Sequence, residues 1–188
     1  MSKLFTPYNL SGLALKNRVV MAPMTRTRTM NEVPDEVVAL YYAQRASAGL
    51  LITEGMPVSE EGRGYLYIYN DEHVQGWRKV TQAVHAKGGR IFAQLWHVGR
   101  MSHVSLQPGH IAPVSAGTVQ AVNTTVFALT ESGEPGPVVP SQPRALETHE
   151  VKRITADFVH SARLAMEAGF DGVEIMAANG FIFDQFLS

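Results

Sequence analysis

Four short apolar runs, each ending on polar residues and separated from the next by a helical pattern, constrain this chain more than any other feature. The most informative lies within Arg90–His103, R-I-F-A-Q-L-W-H-V-G-R-M-S-H. Ile91, Phe92, Ala93 and Leu95 are too continuously apolar for a half-exposed strand, so the run reads as buried. It then presents an amide (Gln94), an indole (Trp96) and an imidazole (His97), with Gly99 and Arg100 just beyond. Parallel α/β proteins build their sites from strand ends of this kind.

The other runs follow the same plan. Residues 17–24 (N-R-V-V-M-A-P-M) read as a short buried strand broken by Pro23. A helix is predicted over 35–48, with Val37, Val38, Tyr41 and Ala48 as its apolar face and Gly49 as its stop. The second strand is Leu50–Thr53, ending at Glu54 and Gly55. A helix over 71–87 carries Val74, Trp77, Val80, Thr81 and Val84 on one stripe, and Gly88-Gly89 releases the chain into the third strand. Thr148 reads as the N-cap of a helix to Ala168, with Val151, Ile154, Phe158, Ala162 and Ala165 facing the core. Gly172–Ile175 is the fourth strand. Between the third strand and that last helix, over about 103–146, periodicity gives way to recurring Pro and Gly, with short strands expected at 125–129 and 138–139. So long a connection inside a compact domain reads as a lid or binding excursion.

Four β-α units in series predict an α/β fold with a parallel sheet. Strands this short, separated by single helices, fit a (β/α) barrel of TIM type better than a doubly wound sheet. Four units amount to a half-barrel, because closure takes eight. The 188 residues are therefore expected to form one domain, 1–188, with two unpaired edge strands that attract a second copy or a complementary half-barrel chain. A formal charge of −1 offers no footprint for nucleic acid or for a membrane surface, and no apolar run reaches the roughly 18 residues of a bilayer span. Without cysteine, thiolate chemistry and disulfides are excluded; without a signal-peptide core, a cytoplasmic location is expected. His97 and His103, six apart with no third ligand at suitable spacing, read as structural histidines, so no metal is expected.

A-P-M-T-R (22–26), Y-Y-A-Q-R-A-S-A-G (41–49), I-T-E-G (52–55), Q-L-W-H-V-G-R (94–100), P-R-A-L (143–146) and G-F-D-G-V-E-I (169–175) occur in order along the whole chain. Together they resemble the old yellow enzyme family of FMN-dependent ene-reductases, eight-unit barrels about twice this length. The resemblance implies an oxidoreductase in which NADPH reduces FMN and the flavin passes hydride to an activated C=C bond of a small-molecule substrate such as an enone, nitroalkene or maleimide. It implies that Ala22, Pro23, Met24 and Thr25 pass along the flavin ring, and that Gly55 lets the backbone approach it. Gln94 would pair its amide with the ring's pyrimidine part through both a donor and an acceptor, while Tyr65 and Trp96 would line the substrate pocket.

Three departures qualify this. The family carries His, then Asn or His, then Tyr after the fourth strand, two donors to the substrate carbonyl and a proton donor to the alkene. This chain has Met176, Asn179 and Phe181, so only Asn179 can still donate. The segment Gly64–Asn70 lacks the longer Pro-Gly run usual in the family. The family's phosphate anchor and a ring-facing Arg come from its second half, so the resemblance implies weak or absent FMN binding by this chain alone. The alternative is a non-catalytic or engineered half-barrel fragment that folds by self-association or with a complementary half. A non-redox barrel enzyme acting on a phosphorylated metabolite would have only Glu54 and Glu174 as strand-end bases.

Overall fold

A computed structural model describes residues 2–29 and 32–187; Met1 and Ser188, the limits of the expected domain, lie outside them. The central sheet holds four parallel strands, β1 (Val20–Met21), β2 (Leu50–Pro57), β3 (Ile91–Trp96) and β4 (Gly172–Ile175), side by side in chain order. Helices α1 (Glu36–Ala43), α2 (Asp71–His85) and α3 (Thr148–Glu167) connect them, and a short α4 (Ile182–Leu187) follows β4. This is the expected β-α alternation, with β1 and β4 as the sheet edges among the described residues.

The helices start where side chains satisfy their first backbone donors. The Asp35 carboxylate accepts from the Val37 and Val38 N–H groups, and the Asn70 side chain accepts from His73 N–H. Thr148 is not the N-cap of α3: Glu147 holds that position, and its N–H donates to the Glu150 carboxylate at 2.9 Å. Helix α1 stops at Ala43, five residues before the expected end. Lys16 and Asn17 take the carbonyls of Ala46 and Ser47, and Gly49 packs so closely on Asn17 O that a Cβ would stand 2.0 Å away. A continuing helix could not deliver the chain to that contact. Its buried face is accordingly Val38, Ala39, Tyr42 and Ala43, while Val37 is 68% exposed.

The core lies between the sheet and the helices. Trp77, Val80 and Val84 of α2 meet Ile91, Ala93 and Leu95 of β3, with Phe158, Leu164 and Ala165 of α3 completing the layer. Each large side chain buried there stabilises the fold by about 1.5–3 kcal/mol. Residues alternate along β3, so Phe92, Gln94 and Trp96 face away from this core. Strand β1 departs from expectation: it spans two residues and Val20 is exposed, because an edge strand has one neighbour and no cover on that side.

The excursion carries an antiparallel hairpin, Val126–Leu129 with Pro135–Val138, close to the expected strands but three residues early in the second. Pro135 and Pro137 sit in it without penalty because a two-stranded ribbon leaves outward N–H positions unpaired. Val114–Ser115 pairs with Arg144–Ala145 and closes the base of the excursion. A further hairpin, Tyr8–Leu10 with Leu13–Leu15, turns on Ser11 (φ +47°) and Gly12 (φ +99°), the positive-φ pair that a two-residue turn demands. Among the described residues, no helix is long and apolar enough to cross a membrane.

Candidate functional site

Register builds the site. Gly55 of β2, Gln94 of β3 and Glu174 of β4 stand side by side in one row across the C-terminal half of the sheet. The row exists because β2 carries one extra residue: Ile52 pairs with Phe92 and Gly55 with Gln94, so Thr53 and Glu54 share the place of one residue. The irregularity breaks the backbone ladder at Gln94, and the Thr53 hydroxyl accepts the Gln94 N–H instead, at 3.1 Å. Glu54 N–H donates to the Tyr42 hydroxyl at 2.9 Å.

A cavity of about 410 Å³ opens over this row, lined by Pro23, Met24 and Thr25 beyond β1, by Gln94 and Trp96, and by Glu174, Met176, Asn179 and Phe181. Seven residues expected at the site thus share one cavity: Pro23, Met24, Thr25, Gln94, Met176, Asn179 and Phe181. Trp96, expected in the substrate pocket, joins them. Asn179 is held at φ +60° beside Gly180 at φ +71°, a tight turn that brings its amide to the rim. Ala22 is exposed at the end of β1 and does not line the cavity.

Gln94 has partners within the chain for its amide nitrogen. It is 3% exposed, and its Nε2 donates to Glu174 Oε1 at 3.0 Å and to Met176 Sδ at 3.7 Å. The Glu174 carboxylate is the strong acceptor of this amide and the Met176 thioether a weak one. Gly55 also has a different neighbour: a Cβ there would stand 2.3 Å from Cε3 of Trp96, so the glycine admits the indole.

Trp96 and Tyr65 are not core residues. The indole N–H donates to Arg63 O at 3.1 Å, and its ring meets Phe181 edge-on at 5.3 Å. Trp96 and Phe181 separate the first cavity from a second, apolar one of about 500 Å³ between Tyr65 and the excursion hairpin. Tyr65 lies on its wall, 42% exposed, although its loop is short; Leu66, Tyr67 and Ile68 anchor that loop in the core.

Sequence reasoning missed the groups that hold these loops. Gln185 of α4 donates from Nε2 to Val98 O and Gly180 O and accepts at Oε1 from Arg100 N–H and the Ser115 hydroxyl, tying the loops after β3 and β4 together. Nothing in its sequence context marks it. Glu174 did leave a signal, as the one charge in the four-residue strand β4. Glu54, 3% exposed, accepts from Arg26 N–H at 3.1 Å, and burial pushes its carboxyl above the ordinary range. His97 is buried with Nδ1 accepting from Gly99 N–H, and His103 Nδ1 lies 2.9 Å from the Ser105 hydroxyl. Among the described residues, no group of three or more His, Cys, Asp or Glu side chains is placed to hold a metal ion.

Residues 3–188 match the NADH:flavin oxidoreductase / NADH oxidase family. The chain is 46% identical over 188 residues to 12-oxophytodienoate reductase 7 of Oryza sativa subsp. japonica, covering 98% of this chain and 47% of that protein. It is 42% identical over 189 residues to 12-oxophytodienoate reductase 2 of Arabidopsis thaliana, covering 98% and 49%. The structure of morphinone reductase in complex with tetrahydroNAD superposes with a TM-score of 0.95 at 47% identity, over 100% of this chain and 53% of that one. The old yellow enzyme homologue from Zymomonas mobilis gives 0.88 at 43%, over 98% and 51%. The chain spans about half the length of the relatives it matches. Its sheet and helices are part of the α/β barrel fold of these structures, and the chain belongs to the FMN-dependent old yellow enzyme family of NADH:flavin oxidoreductases.

Proposed function

We propose that this chain supplies one wall of an FMN site in an NADPH-dependent reductase of activated alkenes, with its proton-donating apparatus reduced. The observation that carries the reading is the shared cavity: Thr25, Gln94 and Asn179 bring a hydroxyl and two carboxamides to one opening over the sheet's C-terminal end. Those groups fit the heteroatom edge of a flavin ring, whose reduction potential depends on the hydrogen bonds it receives. Bound there, FMN would supply hydride transfer from a nicotinamide to an electron-poor alkene. The protein's part is to orient the ring through Thr25 and Gln94, to exclude water with Trp96 and Phe181, and to polarise a substrate carbonyl through Asn179.

Met176 and Phe181 hold positions where the family uses a donor and an acid. A thioether donates no hydrogen bond and a phenyl ring has no acidic proton. Losing the one is worth about 10²–10³ in rate and losing the other about 10²–10⁴, not necessarily multiplied. A slow reductase is the expected result. The second reading, a non-catalytic half-barrel, is favoured by the same two residues.

Completion of the site is part of the proposal. The β1 side exposes Val20, Met24, Val37 and Leu40; the β4 side exposes Val159, Ile175, Phe186 and Leu187. Apolar side chains of this size at both edges of a parallel sheet suit burial against a second polypeptide, either another copy or a complementary half-barrel. We place the assembled protein in the cytoplasm. The test is a titration of the purified chain with FMN, followed by absorbance at about 450 nm and by light scattering. Flavin uptake by an associated species is expected; a stable monomer that stays colourless at saturating FMN would end the enzyme reading.

A further inference from the structure

We propose that Glu61 is a positioning residue: clasped by Arg153 of α3, it pins the loop whose Arg63 carbonyl holds the Trp96 indole in the wall between the two cavities. The pin sets how far an apolar group can cross from the cavity over the sheet into the one beside the excursion hairpin. The inference rests on the flavin reading only for what occupies the cavities.

The loop covers residues 58–70, between β2 and α2. Three of its successive carbonyls are taken by the end of β3 and the segment beyond it. Glu61 O accepts from Gln107 Nε2 at 3.2 Å, Gly62 O from Val98 N–H at 3.2 Å, and Arg63 O from the Trp96 indole at 3.1 Å. Arg63 stands at φ +46°, a left-handed backbone that a residue with a side chain keeps only where its surroundings impose it. Gly64 follows, packed so closely that a Cβ would lie 2.4 Å from Pro57 Cγ. The run has little room to adjust, so a shift at Glu61 carries through to the acceptor on which Trp96 hangs.

Charge supplies the pin. The Glu61 carboxylate, 14% exposed, accepts from Arg153 Nη2 at 2.7 Å and lies 3.9 Å from Nε2 of the buried His97. His97 Nδ1 accepts from Gly99 N–H, which assigns the ring proton to Nε2, on the side of that carboxylate. Burial alone would raise the Glu61 carboxyl; His97 and Arg153 outweigh it and hold the group below its ordinary value. Arg153 is steadied in turn by Asp157, one turn along α3, at 3.2 Å. Helix α3 also meets the two ends of the loop, where the Ser161 hydroxyl donates to Val58 O and His160 Nε2 lies 3.3 Å from Tyr69 O. Glu61 is its charged hold on the middle, and charge-assisted bonds are the stronger kind. A rival anchor sits inside the loop: the Tyr67 hydroxyl accepts from Arg63 Nη1 at 3.2 Å and from Gly64 N–H at 3.4 Å.

The two tryptophans of the chain read the two halves of this loop, since the Trp77 indole donates to Tyr67 O at 3.0 Å. In the ¹⁵N-labelled full chain, the two indole N–H resonances are assigned by the loss of one in Trp96→Phe. Glu61→Ala and Arg153→Met should each shift the Trp96 resonance and speed its exchange with D₂O about tenfold, leaving that of Trp77 in place. The double variant should do no more than either alone. Glu61→Gln, which keeps an acceptor for Arg153, should restore most of the protection. The Arg153 side chain is 43% exposed, so Arg153→Met reads the pin even where Glu61→Ala does not fold. A Trp96 resonance unmoved in these variants would overturn the proposal and assign the anchoring to Tyr67. Equal movement of both indoles would overturn it too, because it marks a general loosening.

The crossing is read in the FMN-loaded assembly. There Arg153→Met should raise kcat/KM for a cyclic enone with a bulky alkyl group about tenfold relative to the unsubstituted ring, through KM. A shifted indole with an unchanged ratio would overturn the control of crossing. A shifted indole in a chain that turns over neither enone would leave the pin standing and remove the flavin reading.

Discussion

The two ends of the parallel sheet use the same device to different effect. At the N-terminal ends of β3 and β4, the Asp171 carboxylate lies 2.8 Å from His85 Nε2, 2.9 Å from Arg90 Nη1 and 2.9 Å from Ile91 N. Every partner belongs to the protein, and the knot ties a helix end to two strand starts. At the C-terminal ends, the Glu174 carboxylate engages the Gln94 amide, which keeps one acceptor turned outward. Saturated polar groups hold a fold together, and polar groups left one bond short recognise ligands. The same contrast separates the two sides of Gln94 itself.

The contrast can be broken in four ways. The largest effect belongs to the site end: Met176→His with Phe181→Tyr should raise NADPH-dependent reduction of a cyclic enone by the FMN-loaded assembly about 10²–10⁴-fold. An unchanged steady-state rate would show that these positions lie outside the chemistry. At the closed end, Asp171→Ala strands the buried Ile91 N–H, the Arg90 guanidinium and the His85 ring, and should lower stability by about 2–4 kcal/mol in urea unfolding. The FMN affinity of the protein that remains folded should not move; a shift there would mean the two ends are coupled. Gln94→Leu is the converse. It should change unfolding free energy by no more than about 1 kcal/mol while weakening FMN binding tenfold or more, measured by fluorescence titration. Greater damage to stability than to binding would reverse the assignment.

The smallest effect concerns Glu54. Burial raises its folded-state carboxyl above the ordinary 4.5, so between that value and its folded pKa the native protein holds more protons than the unfolded chain. Stability therefore falls as pH rises through that window, and Glu54→Gln should flatten the slope and gain up to about 1 kcal/mol at neutral pH. Denaturant midpoints at pH 5 and 7 compare the two proteins; a steeper slope in the variant would contradict the burial argument.

Much of the molecule could be seen in its residues. The stripe of Val74, Trp77, Val80 and Val84 found α2 because helical periodicity is a local property. Proline at 23 and the polar close of each apolar run located the strand ends where Thr25, Gln94 and Asn179 now share a cavity. Other features escaped. The early stop of α1 goes with Lys16 and Asn17, some thirty residues upstream, which donate to the carbonyls of Ala46 and Ser47 just beyond it. The protein partners of the Gln94 amide escaped because they lie eighty or more residues further on. Gln185 carried no mark at all, since four hydrogen bonds from separate loops meet on a residue that reads as an ordinary helix glutamine.

By itself, then, the order of residues determined the alternation of strand and helix, the faces that turn inward and the end of the sheet where polar groups gather. Those follow from periodicity, capping and turn chemistry within a few residues. Only the tertiary structure decided that one extra residue in β2 would set Gly55, Gln94 and Glu174 in a single row. Pairing register is a relation between segments far apart in the chain, and a slip of one residue would have turned Gln94 into the core and its amide away from every ligand.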